Sequence, residues 1–551
     1  MGNGKYVIGM NSTNSFPLWS LRSVRLRIII LLATALCIEG LMRTNMNMAM
    51  ICMVNLTAVM QFKQSFIAQK SEESLLKYNY TILSNSSVKI FEHNRNYNGD
   101  LLWTRQEQAW VFAAFYIGSL LVVFPGSYLC DWIGPTYTVQ GGAIINVIGS
   151  VTTPYISRNV GVIGVIIIRF LMGCGQGILT PCMNVLIAHW FPLSEKSTAV
   201  ALATTGNQLS IIFAMFITAE LCQMSLFGGW PAAFYLYSLL GIGLCFGWSL
   251  AVKDVPTCVK HITDAELTYI TGSAYGRGQK RVIPVNVPWQ KILSSTAVWS
   301  TALSSFCHSF VVVGTVTYLP LYYRTILSMG LTSNGVLSAL PFICQLLSKL
   351  AFAGLADKAK EIGFSPNQVT KICNLCGKFC IFQLYNASLG SACCFTALIF
   401  FDCSHRKKAV FFMCFAMGIL SGFVLGYNTS IVCIAPKYTS SVASFCRLWG
   451  TVGSITSPYI IGMITIKGNG KFSYMFAVAT KSLRIGAVLT ETKIRISQTN
   501  QFVRCSATKS FAVNEQEWAQ DVSGISVLNY VKPLSEKEMD KTPKLELEKG
   551  V

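Results

Sequence analysis

Residues 28–59 read IIILLATALCIEGLMRTNMNMAMICMVNLTAV, a long apolar run broken by only two charges, Glu39 and Arg43. About 20 apolar residues cross the hydrocarbon of a bilayer, so this run reads as a membrane-spanning helix. Ten more follow: Ala109–Cys130, Thr136–Ile156, Val160–Ala188, Thr198–Gln223, Pro231–Val252, Val298–Tyr323, Leu331–Ala356, Ile372–Phe401, Ala409–Cys433 and Ser441–Ile466. A twelfth begins near Phe472 and fades, because Lys481, Arg484, Glu491, Lys493 and Arg495 intervene. Each such charge at a helix centre costs about 2.5–3.5 kcal/mol on insertion scales.

Composition agrees with that pattern. Of 551 residues, 52% are hydrophobic and 12% charged, with a mean hydropathy of +0.48. That is roughly half the charge of a soluble protein, so a water-facing surface cannot be built from it. The net charge of +20 comes without Lys/Arg runs interleaved with aromatics, and basic cytoplasmic loops account for it. No nucleic-acid partner is expected. The 20 cysteines lie mostly in apolar runs, where they act as small hydrophobes. Cys373, Cys376 and Cys380 have a metal-like spacing but no companion His or second Cys pair, so no metal site is expected.

The spans fall into two sets of six. A Leu-small-Asp signal follows the second span of each, at Leu129-Cys130-Asp131 and Leu355-Ala356-Asp357, offset by 357 − 131 = 226. Arg43 of span 1 and His308 of span 7 are offset by 265, and the surplus matches the length of the first loop. Parallel six-span repeats around a central site are the architecture of major facilitator transporters. The chain therefore divides into an N-terminal arm (1–27), a first six-helix bundle (28–252) with an outer loop at 60–108, a central loop (253–291), a second bundle (292–479) and a polar tail (480–551). Basic residues in the arm and central loop place both in the cytoplasm. The outer loop then carries two glycosylation sequons, at Asn79 and Asn85.

Charges inside the hydrocarbon are costly and mark pathways. Glu39 and Arg43 are four residues apart on one helix face, where they can neutralise each other. Arg169 in span 4 has no acid within a helical turn. His308 in span 7 reads equally as a core imidazole and as a titratable positive group. Two guanidiniums and an imidazole around one cavity favour carboxylate or phosphate. No Walker loop, G-x-S-x-G elbow or H-E-x-x-H pair is present, so neither pumping by ATP nor enzymatic hydrolysis has visible machinery.

Seven motifs in order then carry a resemblance: Arg43-Thr-Asn-Met-Asn-Met-Ala-Met-Ile-Cys-Met-Val-Asn55, Pro125-Gly-Ser-Tyr-Leu-Cys-Asp131, Arg169-Phe-Leu-Met-Gly-Cys-Gly-Gln-Gly177, Trp190-Phe-Pro-Leu-Ser-Glu-Lys-Ser197, Gly229-Trp-Pro-Ala-Ala-Phe-Tyr235, Pro288-Trp289 and Ile434-Ala-Pro-Lys-Tyr438. From about Arg25 to Ala479 the chain resembles the anion/cation symporters of solute carrier family 17. The resemblance implies a major facilitator fold of 12 spans, a small anionic substrate, no bound cofactor and coupling to sodium or protons. It implies Arg43 and Arg169 as substrate-path residues, with His308 where glutamate transporters carry a further Arg. Gln176 stands where sialin carries a Glu tied to proton coupling, which leaves Glu39 as a substitute coupling candidate. Asp131 and Asp357 mark the gating loops. A monomer in the plasma membrane or a lysosomal or vesicular membrane is expected. The alternative is a sensor that kept the fold and lost transport. Between Thr480 and Val513 the resemblance breaks and then returns at Asn514-Glu-Gln-Glu-Trp518, the pattern of a shifted exon, which sequencing the transcript checks.

Overall fold

The computed structural model describes residues 23–55, 99–191, 195–224, 228–259, 262–274, 289–361, 390–401, 405–421 and 439–467. The expected twelfth span and tail, the sequons at Asn79 and Asn85, and the cysteines at 373, 376 and 380 lie outside these residues. Within them the first half comprises α1 (Val24–Met53), α2 (Arg105–Leu121), α3 (Val123–Ile133), α4 (Pro135–Asn159), α5 (Val162–Trp190), α6 (Lys196–Gln223) and α7 (Pro231–Ala251). The connection holds α8 (Asp264–Ala274) and α9 (Trp289–Ser294). The second half comprises α10 (Thr296–Thr325), α11 (Leu331–Glu361), a helical stretch at Gly390–Phe400, α12 (Arg406–Leu420) and α13 (Thr439–Lys467).

Five of the described helices are long and apolar enough to cross a membrane: α5, α7 and the larger parts of α6, α10 and α11. The 30-residue α1 carries Glu39, Thr44, Asn45 and Asn47 along its length, all buried. The polarity of α1 is turned inward, as a helix lining a transport path requires.

Local sequence explains the breaks. The second span is two helices because Pro125 has no N–H for the Leu121 carbonyl and its ring crowds that turn. α2 opens on a capping box, in which Thr104 Oγ1 accepts from Glu107 N (3.3 Å) and Glu107 Oε2 accepts from Thr104 N (2.7 Å). α3 ends at Gly134, whose φ of +99° suits a residue without Cβ, and Pro135 opens α4. Asp254, beyond α7, accepts from Thr136 N at 2.8 Å and fastens that turn.

The packing repeats. α1 packs on α6 as α10 packs on α13, and α2 packs on α5 as α11 packs on α12. Two seams join the halves, α2 against α13 and α11 against α6, and the repeat exchanges one for the other. Both seams reach the end of the bundle where α1 finishes, here called the far end. There Trp110 meets Tyr459 (ring centroids 5.3 Å apart), Gln223 donates to Thr332, and Arg324 Nη1 donates to the Ile51 carbonyl at 2.6 Å. Lys349 Nζ crosses the second seam about 27 Å deeper, at 1.5 Å per residue from Leu331, to Thr204 Oγ1 and Gln208 Oε1 (3.4 Å each).

The helix bounds correct the repeat offset. Val24–Met53 maps onto Thr296–Thr325 by a shift of 272 at both ends, not the 265 read from Arg43 and His308. Thr315 is thus the counterpart of Arg43. His308 lies seven residues earlier on the same face, about 10 Å nearer the end where α1 begins.

α2 and α5 touch backbone to backbone. A Cβ on Gly173 would stand 1.9 Å from the Phe115 carbonyl oxygen, and one on Gly118 would stand 2.1 Å from that of Phe170. Gly173→Ala is expected to push the helices apart at a cost of about 1–3 kcal/mol. Gly141→Ala, which meets nothing within 4 Å, is expected to be neutral by comparison. Thermal unfolding in detergent, with the two variants side by side, checks this.

At the near end the central connection is not a plain polar loop. Glu266 of α8, fully buried, sits on the N-terminus of α1: its carboxylate accepts from Ser23 Oγ (2.7 Å), Val24 N and Arg25 N (3.2 Å each). It also pairs with Arg25 Nε at 3.1 Å, while Arg25 Nη1 pairs with Glu195. A carboxylate supplied from 241 residues away therefore performs the N-cap that Ser23 does not make for itself.

Candidate functional site

Arg169 lies two turns into α5 from its far-end start, 3% exposed. Its Nη2 donates to the Arg43 carbonyl at 3.0 Å, and its guanidinium carbon stands 5.3 Å from the centroid of the Phe115 ring. Its Nε and Nη1 are buried and have no hydrogen-bond partner among the described residues. Tyr116, edge-on to Phe115 at 5.5 Å, interacts electrostatically with both arginines. Arg43, half-buried, and Arg169 repel each other. Two cations close together, with buried N–H groups unused, form an acceptor-seeking site.

One turn nearer the near end, Glu39 is 2% exposed. The ion pair with Arg43 that the i, i+4 spacing allows does not form. Glu39 instead accepts from Asn146 Nδ2 of α4 at 2.6 Å, and its other oxygen, Oε1, is buried without a partner. Glu39 is drawn toward α4, while the Arg43 side chain lies within electrostatic reach of Tyr116 on α2 and Arg169 on α5. Gln176 is seven residues beyond Arg169 on the same face of α5, 9% exposed, with Oε1 unpartnered. Asn146 lies against α5 beside it, since a Cβ on Gly175 would come within 3.2 Å of Asn146 Nδ2.

The structure thus brings Arg43 and Arg169 together in the first half, with Glu39 one turn along α1 on Asn146 and Gln176 two turns along α5 from Arg169. His308, half-buried on α10, is set about 10 Å deeper than the Arg43 level by the corrected shift. Asp131 and Asp357 fall near the near-end termini of α3 and α11, and their side chains are outside the described set. Two residues escaped the sequence reading. Asn146 is a neutral amide in an apolar span, and Asp254 lies past the end of a span. The amide inside hydrocarbon was the one signal available for Asn146, since a buried amide needs a partner.

A bundle of paired helical halves, with unused cationic donors buried inside it, is the architecture of a secondary membrane transporter. A model of the Major Facilitator Superfamily matches residues 32–478, and the chain belongs to that family. An uncharacterized transporter of Caenorhabditis elegans, slc-17.3, is 29% identical over 463 residues, which is 82% of this chain and 84% of the relative. Sialin of Homo sapiens is 24% identical over 469 residues (85% and 88%). Sodium-dependent phosphate transport protein 1, chloroplastic, of Arabidopsis thaliana is 24% identical over 405 residues (74% of each). These are relatives of the kind the solute carrier family 17 resemblance implies. A solved D-xylose-proton symporter superposes with a TM-score of 0.55 at 13% identity, covering 84% of this chain and 97% of its own, and shares the fold.

Proposed function

We propose that this transporter carries small anions of the phosphate or carboxylate type, received by Arg169 and Arg43 and moved by rocking of the two halves. The observation that carries this reading is the pair of buried, unpartnered Arg169 nitrogens beside a second guanidinium. A buried cation with unused donors is stabilised by an anion that takes them. His308, deeper on the opposite half, would meet the anion later along the path. A relative named as a sodium-dependent phosphate transporter supports the substrate class. A gradient of sodium or protons drives the cycle, and the chain works as a carrier without enzymatic chemistry. The test is uptake of labelled phosphate, sialate, aspartate and urate into proteoliposomes under each gradient. Accumulation of at least one is expected, and no flux of any anion under either gradient would overturn the reading.

A further inference from the structure

We infer that Glu39 is a proton-binding carboxyl that couples proton entry to anion entry, an assignment resting on the anion reading of Arg43 and Arg169. Among the described residues, Glu39 is the carboxylate that lies midway along a spanning helix. Glu107, Asp131, Glu220 and Asp357 all sit within about a turn of a helix end. A carboxylate at that depth is retained against a desolvation cost of several kcal/mol only when it is paired, protonated or functional.

Its surroundings choose among these. No ion pair is made with Arg43, one oxygen accepts the Asn146 amide N–H, and the other is bare and buried. An N–H donor repels a cation such as sodium, and the Asn146 amide N–H is what one Glu39 oxygen meets. A single bare carboxylate oxygen held in place by an amide is instead a place for one proton. Gln176, next to the Gly175 that Asn146 lies against, cannot titrate.

The groups facing Glu39 are few. Arg43 stands on its own helix and Cys245 on α7, while Arg169 on α5 and Tyr116 on α2 act on Arg43. From α4 comes the neutral Asn146, and from the facing stretch of α6 the neutral Ser210 beside Gly40. α10 meets α1 at the far end, where Arg324 holds the Ile51 carbonyl. Arg43 therefore serves both sites: an anion drawn onto the two guanidiniums offsets the positive field that works against a proton on Glu39. Proton and anion then each favour the other's binding, as reciprocal linkage demands. The proton leaves with the anion when the cavity opens on the other side.

The experiment uses the purified full chain and its Glu39→Gln variant, which keeps the oxygen that Asn146 donates to. Infrared difference spectra across pH are expected to show a protonated-carboxyl band that the variant lacks and that inorganic phosphate strengthens at fixed pH. In proteoliposomes, accumulation of labelled phosphate driven by a proton gradient is expected to fall at least about tenfold in the variant, within the usual range of coupling energies. Phosphate-for-phosphate exchange, which needs no net proton movement, is the activity left. Accumulation equal to the parent, or spectra unchanged by the substitution, would overturn the assignment. If the parent moves no phosphate while the Glu39 band still titrates, the phosphate reading fails and the proton site stands.

Discussion

Arg169→Ala abolishes anion uptake while leaving the protein as stable as the parent or more so. The two effects have one cause. The Arg169 side chain is 3% exposed and spends one donor on the Arg43 carbonyl, with Nε and Nη1 unused. Removing an unpaired buried charge relieves a desolvation penalty, so thermal unfolding in detergent shifts upward or not at all. The anion, by contrast, loses two charge-assisted hydrogen bonds of about 1.5–3 kcal/mol each, which weakens it by more than roughly a hundredfold. Arg169→Lys restores the charge without the fork and recovers only part of the loss, since an ammonium is a point donor. Uptake into proteoliposomes and unfolding temperature, measured on the same preparations, check both halves. Unaltered uptake by the alanine variant would remove Arg169 from the site.

Arg25→Ala has the opposite profile, a large loss of stability far from the anion. Arg25 and Glu266 are both fully buried and paired at 3.1 Å. Breaking such a pair strands a carboxylate in the interior and costs about 3–5 kcal/mol. Replacing both partners together, Arg25→Met with Glu266→Gln, is expected to recover most of that, because an isosteric neutral pair carries no stranded charge and Glu195 is partly exposed. Unfolding temperature reads the series, and hydrogen exchange over residues 262–274 should rise in Arg25→Ala. An unchanged midpoint would show that the contact contributes nothing.

How far such features could be read from the sequence depends on their range. Helix positions followed from apolar runs, because a span must be apolar whatever it packs against. The break at Val122 interrupts what reads as one apolar run, Ala109–Cys130, although its cause, Pro125, is local. Arg43 and Arg169 stood out since a charge in hydrocarbon has few reasons to persist. The partner of Glu39 did not, because spacing within one helix offered Arg43, whereas the actual donor, Asn146, comes from a different span over a hundred residues away. The repeat offset failed for a related reason. It matched two positive residues by chemistry, while helix ends, set by caps and turns, define the register. Glu266 on the start of α1 was out of reach altogether, being a contact across 241 residues with no motif at either end.

That last contact sets an order for biosynthesis. The first span leaves the ribosome with Arg25 and three uncapped groups at its start, and the carboxylate that completes them is made only after six spans have been threaded. The first half is therefore finished by a helix that lies beyond it in the chain. Anyone dividing this protein into separately expressed halves should cut after Ala274, since a cut before Asp264 withholds the piece that closes the first.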